Sequence, residues 1–242
     1  MKINTAYSAL GEVFEYLNDD CGYEQWSQYL IEKLRACGVG NKGLDIGCGN
    51  GYFTRALYRA GYDVKGMDIS PQMLSSAVEL GAKSGCKTEF LLGDITKLNI
   101  NFRPDFITAV NDCINYIPPS KLGSAFRGVY RSLSKDGLFY FDISSERHLR
   151  ETVGNNIFSE DRGDIVYIWY NQLVKDSVEM DITLFRRRGD GAYVRADERQ
   201  TQYIYSETQL CEALQEVGFD VSTEGHLGSD KLRRITFICK KH

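Results

Sequence analysis

The run LDIGCGNGYF, Leu44 to Phe53, joins a short apolar approach to three glycines at alternate positions and then to the start of a periodic apolar segment. In YFTRALYRAG, Phe53, Ala56, Leu57 and Ala60 recur at i, i+3, i+4 and i+7 up to Gly61, which is one helical face ended by a glycine stop. The stretch therefore reads as strand, glycine turn, helix. Such a turn places backbone N–H groups and a helix amino end at the carboxyl edge of a sheet, where wound sheets bind ligands. It is not the dinucleotide fingerprint G-x-G-x-x-G. Gly47, Gly49 and Gly51 are followed by Tyr52, where a third glycine would permit close helix packing, so a nicotinamide dinucleotide is disfavoured. Taken alone, G-x-G-x-G is weak evidence.

Outward from this turn the alternation of strand and helix repeats. Upstream, Trp26, Leu30, Leu34 and Cys37 share a helical face that stops at Gly38 and Gly40. Downstream come a strand over 62–68, a helix opening at Pro71 with Met73, Leu74, Ala77 and Val78 inward, and strands near 88–92 and 105–110. A helix carrying Leu122, Ala125, Phe126, Val129 and Leu133 follows, then a fifth strand over 138–143 after the Asp136–Gly137 turn. Repeated β-α units demand parallel strands joined by right-handed crossovers, the α/β doubly wound sheet. Three runs rich in β-branched and aromatic residues then follow without a helix (165–174, 177–188 and 192–205) and read as an antiparallel meander. Ser206 and Gln209 form a capping box ahead of a helix closed by Gly218, and strands near 219–223 and 235–240 resume the wound sheet. The expected organisation is one domain over 1–242 with an inserted meander at 157–205 as a lid over the site.

Composition sets the bounds. The 242 residues, 43% hydrophobic, suffice for one sizeable core, and 29 basic against 33 acidic residues give net charge −4, so no global positive field attracts polyphosphate or anionic membrane. Nucleic acid would need a local patch, and the one in view, Arg186–Arg188 with Arg195 and Arg199, reads better as a solvated hairpin tip. Seven cysteines, odd in number and without a C-x-x-C pair, argue against a disulfide framework or zinc site, and His148, His226 and His242 share no ligand spacing, so no metal is expected. The amino terminus lacks a signal-peptide core and no apolar run approaches the ~20 residues that span a bilayer. A cytoplasmic protein without a membrane partner is expected.

Polar residues end successive strands: Asp68 after the second, Asp94 after the third, Asn111 and Asp112 after the fourth. Each alone can be a turn or cap residue. As an ordered set converging on one crevice they suit a nucleoside, whose ribose and base edge both need partners.

The order LDIGCGNGYFTRAL, MDIS, GDI, DFITAVNDCINYI and LSKDGLFYFDI resembles the class I S-adenosylmethionine-dependent methyltransferases over roughly residues 40 to 145. The meander and the aromatic, acidic start resemble the bacterial YqeM-type subgroup and, more distantly, the dimethyltransferases of amino sugars. The resemblance implies a Rossmann-like, mostly parallel sheet of seven strands and S-adenosyl-L-methionine as cofactor. It implies that Asp45, Gly47, Cys48 and Gly49 hold the methionine part, Asp68 the ribose hydroxyls, and Ile69 and Met73 the adenosine. Asp94 and Ile95 would face the adenine, Asn111 would lie near the sulfonium, and Tyr7 and Trp26 would cover the cofactor. Cys48 reads as packing, not as a nucleophile.

The acceptor is not written in these motifs. The N-P-P-Y signature of amino-methylating relatives is replaced by Asn111-Asp112-Cys113-Ile114, which disfavours adenine or a glutamine amide. Asp112 either receives an incoming amine or hydroxyl or caps the next segment, and His148 is either a base or a solvated loop residue. Tyr170, Arg186, Glu198 and Tyr203 either line the crevice or pack as strand residues. The expected function is methyl transfer to N or O of a small or medium-sized acceptor. The alternatives are a tRNA or protein methyltransferase, a cofactor-binding module without transfer activity, or a nicotinamide-dependent oxidoreductase.

Overall fold

The computed structural model describes residues 22–242. Helix α1 (Tyr23–Ala36) leads into β1 (Lys42–Ile46), α2 (Tyr52–Arg59), β2 (Asp63–Asp68), α3 (Pro71–Lys83) and β3 (Phe90–Leu92). Next come β4 (Phe106–Ala109), α4 (Pro119–Ser132) and β5 (Leu138–Ser144). After the inserted sheet, α5 (Glu207–Val217), β10 (Phe219–Gly225) and β11 (Arg234–Lys241) complete the chain. The sheet has seven strands in the order β10-β11-β5-β4-β1-β2-β3, with β11 running antiparallel to both neighbours and the other contacts of β1 to β5 parallel. The order reverses between β1 and β4, which leaves a crevice at their carboxyl ends.

Every residue of β4 and β5 is buried, as strands covered on both faces must be. On one face Leu44, Ile107, Phe139 and Phe141 pack against Phe126 and Val129 of α4 and Leu210 and Leu214 of α5. On the other, Val64, Phe106 and Tyr140 meet Leu30 and Leu34 of α1 and Leu57 of α2. Phe141 and Phe237 stack across the β5–β11 pair with centroids 4.6 Å apart. The helix starts follow their sequence signals: Ser70 Oγ accepts the Met73 N–H with Pro71 at the first helical position, and Ser206 Oγ accepts the Gln209 N–H. Two positions depart from the periodic reading. Cys37 falls just past the end of α1 and is exposed, and Val78 points to solvent while Gly81 takes the inward place on α3.

The insertion forms its own antiparallel sheet of four strands, β6 (Ile157–Asp161), β7 (Ile165–Val174), β8 (Ser177–Arg187) and β9 (Tyr193–Tyr203), in that order. The hydrophobic alternation shows β7 to β9; β6 is a short edge strand, IFSED, with almost no buried face to betray it. One face is covered: Val178, Met180, Ile182 and Leu184 of β8 lie beside Asn171 of β7 and Glu198, Gln200 and Gln202 of β9, all buried. The opposite face is open and carries the Arg199–Asp181 and Arg195–Asp197 ion pairs. The arginine-rich tip is a solvated hairpin, with Arg187 facing Asp164 and Arg188 facing Asp190. Leu149, after β5, seals one end against Val178, Met180 and Ile204. Asn115 ties the two sheets together: its Nδ2 donates to the Tyr203 carbonyl at 3.0 Å while its Oδ1 accepts the Ser144 N–H at 3.0 Å. Among the described residues no helix is long and apolar enough to cross a membrane.

Candidate active site

A cavity opens at the carboxyl ends of β1, β2, β3 and β4, lined by the glycine turn, Asp68, Asp94 and Asn111 and also by Tyr23 and Tyr116. The turn fixes its floor. Gly47, Gly49 and Gly51 have φ of 66°, 55° and 79°, the left-handed region that glycine enters without penalty. A Cβ at Gly47 would lie 2.5 Å from Cys113 Sγ, and one at Gly51 2.8 Å from the Phe90 ring, so both are needed for packing. A Cβ at Gly49 would meet only Met73 Cε, 3.9 Å away, and would otherwise project into the cavity. The bare backbone there is open to a ligand.

The carboxylates divide into scaffold and rim. Asp45 is buried behind the turn, its two oxygens accepting from the hydroxyls of Thr54 at 2.6 Å and Thr108 at 2.8 Å. Burial pushes its carboxyl up to about 6 against these two hydrogen bonds. Asp68 accepts the Gly49 N–H on Oδ2 and the Ser70 N–H on Oδ1, both at 2.8 Å, which fixes the plane of its carboxylate at the rim; burial raises its pKa while these bonds oppose the rise. Asp94 caps the turn that follows β3, Oδ1 taking both the N–H and the hydroxyl of Thr96. Between these two acids lie Ile69, 66% exposed, and the buried Met73 and Ile95. Cys48 and Cys113 also face the cavity, and burial pushes both thiols up, which leaves them neutral and poorly nucleophilic.

At the end of β4, Asn111 and Asp112 both have positive φ, 62° and 66°. Their backbone is held by Asp142, which accepts the Asn111 N–H at 2.7 Å and the Asp112 N–H at 3.3 Å. Arg234 binds Asp142 and also grips both oxygens of Asp112, at 2.7 and 3.2 Å. Its guanidinium lies over the Trp26 ring, centroid distance 4.9 Å, and His226 packs edge-on against the same indole. Burial pushes the Asp142 carboxyl up to about 6, with Arg234 opposing.

This arrangement corrects several expectations. Asp112 pairs with Arg234 and is not among the residues that line the cavity, an arrangement that suits the capping alternative better than contact with an incoming group. His148 sits in a helical turn whose N–H is capped by Ser145, outside the cavity lining. Trp26 is a core residue under Arg234; Tyr23, three residues earlier on the same helix, is the one that lines the cavity, its hydroxyl accepting from Asn111 Nδ2 at 3.0 Å. Tyr170 lies on the open face of the inserted sheet, Tyr203 is half-buried against the core of the wound sheet, Arg186 is near the exposed tip, and no residue of the meander lines the cavity. Glu198 is on the covered face. Tyr7 lies outside the described residues. Tyr23, Tyr116 and Arg234 gave no sequence signal of a site, because their partners are 84 or more residues away.

The comparisons with known proteins agree with this geometry. Residues 44–137 match the family model described as a methyltransferase domain. A protein of Geobacillus sp. (strain WCH70) is 30% identical over 97% of this chain and 99% of its own length. YqeM of Bacillus subtilis (strain 168) is 28% identical over 89% of this chain and 87% of its own. Both carry a provisional methyltransferase name. The crystal structure of an S-adenosylmethionine-dependent methyltransferase from Clostridium acetobutylicum ATCC 824 superposes with a TM-score of 0.88 at 31% identity, covering 97% of this chain and 98% of that one.

The chain belongs to the S-adenosylmethionine-dependent methyltransferases. The methyltransferase cavity fits that cofactor on its own terms. It offers an open backbone cradle at Gly49, an anchored carboxylate at Asp68 for a vicinal diol, and apolar walls at Ile69 and Ile95 for a flat base with Asp94 at its edge. No phosphate-binding element is needed, because the cofactor carries an amino acid where a dinucleotide carries pyrophosphate.

Proposed function

We propose that this methyltransferase moves a methyl group to a nitrogen or oxygen atom of a small or medium-sized acceptor in the cytoplasm. One observation supports the reading: a single cavity is lined by Asp68, Asp94, Asn111, Tyr116 and Lys121, which would let donor and acceptor meet in one space. The cofactor, when bound, supplies a methyl group already activated on a positively charged sulfur. The protein's work is then to orient and to exclude water. The turn at Gly47 and Gly49 would hold the methionine part, with Cys48 packed beside it and Asp45 bracing the turn through Thr54. Asp68 would take the ribose hydroxyls, Ile69 and Met73 would flank the adenosine, and Asp94 and Ile95 would face the adenine. Asn111, pinned by Asp142 and Tyr23, would define the sulfur end, and the inserted sheet would roof the acceptor through its contact with Tyr116. The reading is tested by incubating the protein with methyl-labelled cofactor and, separately, a small-metabolite extract, bulk tRNA and a protein extract from a bacterium. Label in the small-molecule fraction is expected; label confined to RNA or protein overturns the acceptor class.

A further inference from the structure

Strand β7 carries two side chains whose polar atoms the fold leaves unmet. Asn171 is fully buried on the covered face, and neither its Nδ2 nor its Oδ1 has a hydrogen-bond partner; Trp169 Nε1, two residues earlier on the same face, is buried and unpartnered as well. Among the described residues these are the buried side-chain polar atoms without a partner, and all of them lie side by side. Their neighbours across β8 are Met180 and Ile182, which offer no strong donor or acceptor. A buried amide in such a setting loses its hydration without compensation, and turning it over does not help, since both of its ends are unmet. Leucine at 171 would fill the space without that cost. Native folds keep few groups of this kind, and each one kept calls for a reason.

The pair is also in line with the cavity. Asn171, Met180 and Gln200 are register partners across β7, β8 and β9, so Asn171 lies two strand spacings, about 10 Å, from Gln200. Gln200 in turn touches Tyr116 of the cavity lining at 2.9 Å. Resting on the methyl-transfer reading above, we infer that Asn171 and Trp169 form the far half of the acceptor site, where they bind a neutral hydroxyl or carboxamide group of the acceptor about 10 Å or more from the atom that is methylated. The donor count sets this chemistry. The amide supplies two N–H donors and a carbonyl, and the indole adds one N–H, so the group that fits both accepts and donates. A carboxylate would leave the Asn171 carbonyl unmet, and an ammonium would leave every N–H unmet. The margin of the face is the way in: Phe158, 39% exposed, packs edge-on against the half-buried Trp169. Since Asn171 itself is sealed, its ligand enters by parting this edge.

The experiment uses the full chain, methyl-labelled S-adenosylmethionine and a small-metabolite extract of a bacterium as the acceptor source, with transfer followed over a dilution series of the extract. Asn171→Leu removes the amide at similar volume, and Trp169→Phe removes the indole N–H. Each should raise the half-saturating extract concentration about fivefold or more while the plateau rate stays within about twofold, the pattern of binding lost equally from ground and transition states. S-adenosylhomocysteine affinity by calorimetry should not change. For Asn171→Leu the urea midpoint should stay at or above the parental value, because an unmet polar group has given way to an apolar one. An amide with a purely structural role gives the reverse, a lower midpoint with parental half-saturation. The labelled product of the parent, identified by mass spectrometry, should carry a hydroxyl or carboxamide apart from its methylated atom. Parental half-saturation in both variants, as expected if an ordered water serves these atoms, or a product without such a group, overturns the inference and leaves the methyl-transfer reading standing. A parent that labels no small molecule overturns the acceptor class itself, and this inference with it.

Discussion

The two ends of the crevice are built in different ways. At the proposed donor end most contacts are short in sequence: Asp45 to Thr54 spans nine residues and Asp68 to the Gly49 N–H spans 19, with Asp45 to Thr108 the longer exception at 63. At the acceptor end they are side chain to side chain and long. Asn111 reaches Tyr23 across 88 residues, Tyr116 reaches Gln200 across 84, and Asp112 reaches Arg234 across 122. The difference follows from what each end must do. A cofactor of constant shape can be held by one strand-turn-helix unit whose geometry glycine and a single carboxylate specify. A pocket for a particular acceptor has to be assembled from segments that only the finished fold brings together.

The largest expected effect tests whether the acceptor end depends on its buried charge cluster. Arg234→Met removes the partner of Asp142, which is fully buried, and of Asp112. Uncompensated buried charge of this kind costs about 3–5 kcal/mol. Urea unfolding should show that loss, and adding Asp112→Asn with Asp142→Asn should recover much of it, since the charges that needed Arg234 are then gone. Equal stability of the single and triple variants would mean that the cluster does not hold the β4 turn.

Asp45 offers the matching test at the donor end, where a buried carboxylate is held by two threonine hydroxyls instead of a guanidinium. Its pKa, about 6, lies above the ordinary 3.8. A group raised in this way contributes stability that is complete below about pH 4 and is lost as pH rises through about 6, because the folded state then carries a charge that burial disfavours. Asp45→Asn has no such charge. Relative to the parent, it should gain on the order of 2–3 kcal/mol between pH 4 and pH 7, read as the difference in urea unfolding free energy at the two pH values. An offset that does not change with pH would show that Asp45 ionises in the fold without penalty.

The same contrast explains what could be read from the sequence. The wound sheet, its helix starts and the placement of Gly47, Gly49, Asp68 and Asp94 around one cavity were legible because period, cap and turn chemistry are local: Ser70 and Ser206 cap where their spacing says they should. The acceptor end was not. Nothing near Asp112 in the sequence announces Arg234, so the sequence left open whether the aspartate meets an incoming group or caps the next segment, and only the fold shows its pairing with Arg234. Trp26 and Tyr23 lie on one face of one helix, and periodicity cannot say which of them the cavity meets. The meander's strands were visible from alternation, but alternation gives two faces without saying which is covered, and so Tyr170 and Glu198 seemed equivalent.

Asp68→Ala sharpens the contrast from the ligand's side. The donor-end reading predicts that S-adenosylhomocysteine binds about 1–3 kcal/mol more weakly, the weight of hydrogen bonds to a charged group. Urea unfolding of the variant checks that the fold survives the loss of the bonds from the Gly49 and Ser70 N–H groups. Calorimetry on the folded variant decides it. Unchanged affinity would move the ribose elsewhere and with it the orientation of the whole cofactor.

The smallest effect expected is none, and it is informative because it separates the faces of the inserted sheet. Tyr170 is 47% exposed on the open face, beside Ile157 across the β6–β7 pair and opposite Asp181, whose ion pair with Arg199 is exposed on both sides. Exposed pairs of this kind contribute little to stability. Tyr170→Ala and Arg199→Ala should therefore leave both the unfolding midpoint and the transfer rate at parental values. A fall in transfer without a fall in stability for either open-face variant would show that the acceptor, or the molecule carrying it, extends over the outer surface of the sheet. The roof would then be a platform read on both faces, and the enclosed-cavity account of acceptor choice would have to give way to one in which a larger substrate drapes over the insertion.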